Sequence, residues 1–168
     1  MNVQRRLVPD GDVPNYEEDF LQWCEYQAML LGARDTTALD WEHLAEEIGD
    51  MALSLRHEIE SRASTILLHM TKLHLGVLAP PRAGWKETIR EQRTQIERLL
   101  ESAPSLRRHA ESRLEKVRRK ATKRALASLA DYEPANAERY RHAAVDLPNW
   151  TLDQILDEDF FPETPDET

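Results

Sequence analysis

The sequence predicts an all-α protein: a bundle of four main helices with one or two short C-terminal helices. Three observations carry that prediction. Apolar residues recur at three- and four-residue spacing along most of the chain, the period of a helix and not of a strand. Capping residues stand immediately before the periodic stretches. The 5 glycines and 9 prolines fall mostly at the ends or at joints, where they do not disturb a helix interior.

The first helix is expected to open at Asn15, whose side chain can accept from first-turn amides. Glu18 completes a capping-box pattern, and Glu17 and Asp19 favour the helix dipole. Phe20, Trp23, Gln27 and Leu30 follow at helical spacing, widened by Cys24 and Leu31, and Gly32 is the expected stop. Asp40 is the next N-cap. It opens a stripe of Leu44, Ile48, Met51, Leu55, Ile59, Ile66 and Leu73, with no proline to interrupt it. One helix of about 35 residues results, with a bend expected at Gly49. In its final third Leu67, Leu68 and Leu75 lie off the stripe, which implies burial on several sides, at the bundle centre or in a dimer interface.

Pro80 and Pro81 force a turn. A third helix runs from about Gly84 to Ser102, carrying Trp85, Ile89, Ile96 and Leu99 on one face. After Pro104 the fourth carries Leu106, Ala110, Leu114, Val117, Ala121 and Ala125, a narrow, alanine-rich stripe suited to close packing. A short helix is expected between Ala135 and Ala143. Thr151 and Gln154 form a capping-box pattern for another, through Leu156. Phe160, Phe161 and Pro162 read as a tail pinned by aromatic burial. The expected organisation is a flexible arm over 1–14, a single helical domain over 15–162 and a disordered tail over 163–168.

A chain of 168 residues can bury a core without disulfide or metal staples. Cys24, the single cysteine, has no intramolecular partner and reads as a buried, inert thiol. No apolar stretch of signal-peptide length opens the sequence. The most apolar run, Ile66 to Ala79, is short and broken by His69, Lys72 and His74, so no membrane span is expected; the expected location is cytoplasmic. The net charge of −9 conceals blocks. Residues 10–61 hold fourteen acidic and two basic side chains, residues 82–124 six acidic and fourteen basic, and residues 125–168 eleven acidic and two basic. Such blocks either satisfy one another across neighbouring helices or mark a binding surface.

No catalytic or cofactor signature is present: no glycine-rich phosphate loop, no CxxC pair, no HExxH and no GxSxG. No cofactor is therefore expected. His43, Glu47 and Asp50 fall on one strip of the second helix at i, i+4 and i+7, the pattern of a metal site in a helical bundle. No second Glu-x-x-His segment completes the shell, and a solvated acidic face is the competing reading. Arg62 and His69 lie on the apolar stripe of the second helix and Gln92 on that of the third, with Glu58 one turn before Arg62 in the favourable order for an ion pair. Buried polar groups need partners. Glu58, Arg62, His69 and Gln92 therefore form either a register-fixing network or the lining of a small ligand pocket. The segment Arg107 to Arg124 carries nine Lys/Arg against two Glu, enough to track phosphates. It has no aromatic residue to stack on bases, and the acidic remainder would repel a polyanion, which argues against a nucleic-acid role.

Read in order, these segments resemble a bacterial family known as domain of unknown function twenty-nine. The resemblance rests on Tyr16-Glu17-Glu18-Asp19-Phe20 with Trp23 and Gln27, and on Leu39-Asp40-Trp41-Glu42 running into Leu44-Ala45-Glu46-Glu47-Ile48. It continues through Glu60-Ser61-Arg62, His69, Trp85 and Thr88-Ile89-Arg90-Glu91-Gln92-Arg93. Ser102-Ala103-Pro104-Ser105-Leu106, Trp150-Thr151-Leu152 and Asp159-Phe160-Phe161-Pro162 complete it. The resemblance implies an all-helical fold and no particular activity. Leu73-His74-Leu75 departs from it where the family has a more aromatic stretch.

The expected function is that of a small cytosolic helical binding or interaction protein without catalytic activity, acting on a protein partner or on itself. Its motives are the charge blocks, the missing catalytic signature and the apolar surplus at Leu67, Leu68 and Leu75. The alternative is an enzyme or small-molecule binder with a polar pocket between the second and third helices.

Overall fold

Capping chemistry starts the first helix one turn later than Asn15. In the computed structural model, which describes residues 13–75 and 81–163, the Asn15 carboxamide accepts from the Glu17 amide at 2.9 Å and closes a turn. Asp19 is the true cap: its carboxylate accepts from the Gln22 amide at 3.0 Å, and helix α1 spans Phe20–Ala33. Both residues are good N-caps; the local Asx turn at Asn15 leaves the helix to Asp19. Gly32 does not end α1. Arg34 takes the left-handed conformation, φ 57, and the Asp35 amide returns to the Leu30 carbonyl at 3.0 Å, closing the helix without a glycine.

Helix α2 spans Trp41–His74, 34 residues, and is helical through Gly49. Asp40 caps it, accepting from the His43 amide at 3.3 Å. Helix α3 spans Pro81–Ser102, opening three residues before Gly84 because proline is well suited to a first helical position. Helix α4 spans Leu106–Tyr132, α5 Ala137–Ala143 and α6 Leu152–Leu156. The capping box at α6 forms as expected: the Thr151 hydroxyl accepts from the Gln154 amide at 3.2 Å, and the Gln154 side chain accepts from the Thr151 amide at 3.0 Å. The described residues contain no strand, so the protein is all-α. No helix among them is long and apolar enough to cross a membrane.

The described residues gather into two compact units that divide between Met51 and Ala52. In the first, α1 and the opening turns of α2 bury only Trp23, Gln27 and Leu30. Cys24, expected to be buried, is half-buried, because it sits beside the Trp23 stripe and not on it. The second unit holds the main core: Ile59, Ile66, Leu67, Met70 and Leu73 of α2 meet Ile89 and Ile96 of α3, Val117 and Ala121 of α4, and Trp150, Leu152 and Ile155. Leu67 and Leu75 are buried and Leu68 is partly buried. The apolar surplus read there from the sequence is therefore largely spent inside this unit.

Arg93 holds the C-terminal segment in place. It is 3% exposed, and its guanidinium donates to the carbonyls of Ile155 at 2.8 Å, Glu158 at 3.2 Å and Phe160 at 2.7 Å. The same group lies 5.0 Å from the Phe161 ring centre. Phe160 and Phe161 pack on the core and Pro162 is buried, as a pinned tail requires. The expected arm at 1–14 and tail at 163–168 fall outside the described residues except for Val13, Pro14 and Glu163.

Candidate functional site

In the first unit, one carboxylate organises a polar and aromatic cluster. Besides capping α2, Asp40 takes the Trp23 indole N–H at 3.2 Å, and His43 Nδ1 lies 2.6 Å from its Oδ2. Its own amide donates to the Gln27 side chain at 3.0 Å, so α1 and the start of α2 are tied through Asp40. The Tyr16 ring stacks on His43 with centres 4.0 Å apart, and its hydroxyl donates to Glu47 at 2.5 Å. The hydrogen bond to His43 holds Asp40 below its ordinary pKa, and the same bond raises His43. The bond to Glu47 pushes Tyr16 up to about 12.

This cluster absorbs two of the three residues read as a metal strip. His43 is committed to Asp40 and covered by Tyr16, Glu47 accepts from Tyr16, and Asp50 is exposed. Among the described residues, no three His, Cys, Asp or Glu side chains come together as a metal site.

Around the cluster the first unit displays large apolar side chains: Phe20, Leu21 and Leu31 on α1, and Trp41, Ile48 and Met51 on α2. Ile48 and Met51 are 65% and 68% exposed, although both belong to the stripe that is buried further along the same helix. Trp41, Ile48 and Met51 stand at i, i+7 and i+10, one strip of α2. Acidic side chains of the same unit are exposed as well: Glu17, Glu18, Glu25, Glu42, Glu46 and Asp50.

In the second unit three of the four polar residues singled out by the sequence meet. Arg62 donates to Glu58 through Nε at 3.0 Å and Nη2 at 2.7 Å, and to Gln92 Oε1 at 3.1 Å. The guanidinium thus bridges α2 to α3. His69 does not join them. It lies two turns further along α2, about 10 Å by helical rise, with its ring centre 6.4 Å from that of Trp85. Burial lowers its pKa to about 4, helped by the charges of Lys72 and Arg124, and its Nδ1 is buried without a partner.

The sequence reading missed two buried cations. Lys72 Nζ donates to Ser128 at 2.7 Å and lies 5.3 Å over the Trp85 ring; burial lowers its pKa. Arg93 is the other, and it carried a signal: it falls between Ile89 and Ile96 at i+4 and i+7, on the apolar stripe itself. The charge blocks are partly satisfied between helices, since Glu60 meets His109 at 2.8 Å and Arg113 at 3.4 Å. Yet among the described residues Arg108, Lys116, Arg119, Lys120, Lys123 and Arg124 of α4 are exposed and enter no ion pair.

The family is decided by a match over residues 15–161 to the model described as Domain of unknown function DUF29. The chain belongs to this family. No curated protein and no solved structure matches it. The DUF29 match takes in both the Asp40 cluster and the Arg62 bridge.

Proposed function

We propose that this DUF29 chain is a helical interaction protein that binds a second copy of itself through its first unit. The observation that carries this is the exposed apolar set Phe20, Leu21, Leu31, Trp41, Ile48 and Met51 on a unit with three buried residues among those described. Exposed apolar groups in such number on so small a unit mark a contact surface. The exposed acidic side chains of the same unit point to the partner's chemistry. Two first units set face to face would bring like charges together, which disfavours that pairing. The cationic face of α4 has the complementary sign, and a second copy brings it. The first unit of one copy would then sit on α4 of another.

Light scattering behind a sizing column, at two protein concentrations and two salt levels, tests the reading. A dimer that grows with concentration and weakens with salt is expected, and Met51→Glu should return it to monomer. A monomer under all four conditions overturns it. The alternative, a ligand pocket on Glu58, Arg62, His69 and Gln92, has less support, because the Arg62 guanidinium is already spanned by Glu58 and Gln92 and His69 stands apart.

A further inference from the structure

Within the second unit, a cavity of about 220 Å³ lies between α2 and α4, lined by Ser61, Ser64, Lys120 and Arg124 together with His57, Glu60 and Val117. We infer that it is a binding site for a small tetrahedral oxyanion, a phosphate or a compact phosphate monoester. The site belongs to one chain; Lys120 and Arg124 also lie on the cationic α4 face assigned above to a second copy, so phosphate and that copy would compete for them.

Ser64 points to a ligand most directly. The residue is 6% exposed, and its hydroxyl is buried with no hydrogen-bond partner. Buried hydroxyls are nearly always satisfied, so an orphan on a cavity wall calls for an occupant. Ser61 and Ser64 stand at i and i+3 on α2, and Lys120 and Arg124 at i and i+4 on α4, so each pair shares one helix face. Two hydroxyls and two cations therefore line the cavity from opposite walls.

The charge balance selects an anion. Glu60 is the single carboxylate among the lining residues, and it is already engaged by His109 at 2.8 Å and Arg113 at 3.4 Å. Burial works to raise its pKa, but these two partners outweigh that and hold it ionised. It leaves Lys120 and Arg124 without an ion-pair partner among the described residues. A guanidinium fork, an ammonium and two hydroxyls match the three or four acceptor oxygens of a phosphate better than the two of a carboxylate. The volume falls below the range of about 300–1,000 Å³ typical of drug-sized ligands, which favours phosphate or a small ester over a nucleotide.

The test is an amide NMR titration of the full chain with inorganic phosphate at constant ionic strength. Saturable shifts are expected in 61–64 and 117–124, with a dissociation constant of about 1 mM or tighter. Ser64→Ala, a substitution a helix accepts readily, should weaken binding about tenfold, as loss of a hydrogen bond to a charged group does. Lys120→Gln, an exposed change, should do the same about as strongly. Lys123→Gln, on α4 but outside the cavity lining, should leave it unchanged. Glycerol phosphate displacing inorganic phosphate at lower concentration would identify an ester as the ligand, and weaker displacement would identify free phosphate. Shifts that rise linearly without saturation overturn the proposal. So do Ser64→Ala and Lys120→Gln chains that titrate like the parent, a Lys123→Gln chain that loses as much affinity as Lys120→Gln, and acetate binding as tightly as phosphate.

Discussion

The two ends of α2 carry the same apolar period with opposite outcomes. Ile48 and Met51 are exposed, while Ile59, Ile66 and Leu73, the same stripe continued, are between 0% and 1% exposed. The difference lies in what covers them. The later turns are met by α3, α4 and α6, which return from far along the chain. The opening turns share their unit with α1, whose contacts to them run through polar and aromatic groups gathered at Asp40. Periodicity thus selects which face of a helix is apolar, and coverage depends on elements that periodicity does not describe. Two histidines on this helix draw the same contrast: His43 gains a carboxylate partner, while His69 is half-buried near cations.

The largest expected effect compares two isoleucines. Ile66→Ala should cost about 2–5 kcal/mol in urea unfolding of the full chain, the usual loss for a fully buried isoleucine. Ile48→Ala should stay within about 0.5 kcal/mol at low protein concentration, where no second copy covers it. Equal losses would show that the opening turns are covered within one chain, and the contrast would collapse.

Next is Arg93→Ala. Removing the guanidinium strands three carbonyls, and a loss of about 3 kcal/mol is expected. Chymotrypsin should then cleave after Phe160 well before the helices are cut; the bond after Phe161 is protected by Pro162. Cleavage no faster than in the parent chain would mean that the aromatic contacts alone hold the tail.

The histidines should titrate apart. His43 is raised above 6.5, so its contribution to stability is complete below pH 6.5 and is lost as pH rises through its higher folded value. Asp40 is lowered below 3.8, so its contribution holds above pH 3.8 and is lost as pH falls through its folded value. His69 has the opposite sense to His43. With a folded value of about 4 against 6.5 unfolded, its protonation favours the unfolded chain, and stability drains away as pH falls from 6.5 to 4. Ring-proton NMR should therefore place the His43 midpoint above 6.5 and that of His69 near 4; both at 6.5 would remove the distinction.

The smallest effect is expected at Gln92. Gln92→Leu removes one acceptor from Arg62 but leaves both bonds to Glu58, so the loss should be about 1 kcal/mol or less. A larger loss would mean that the bridge between α2 and α3 fixes their register.

Much of this architecture was legible in the residues. The long second helix, its Asp40 cap and the α6 capping box all depend on groups within a few positions of each other. The aromatic tail was legible from its composition, although Arg93, far along the chain, is what holds it. The opening of α1 was misplaced because Asn15 and Asp19 are both competent caps and a local turn chose between them. The Arg62 bridge was anticipated because Arg62 and Gln92 sit on apolar stripes and Glu58 stands one turn before Arg62; His69 shares the stripe of Arg62 but not the same turn. The Ser64 cavity left no trace in the sequence, since a serine one turn from another is unremarkable until α4 is set opposite.

Sequence alone determined the helical class, most helix boundaries and the DUF29 membership, because hydrogen bonds to i−4, caps and apolar periods are local properties of the chain. Tertiary structure decided which half of α2 is buried, which cations remain unpaired and where a cavity opens. Those depend on the meeting of side chains dozens of residues apart, and a one-dimensional pattern holds no information on which faces will meet.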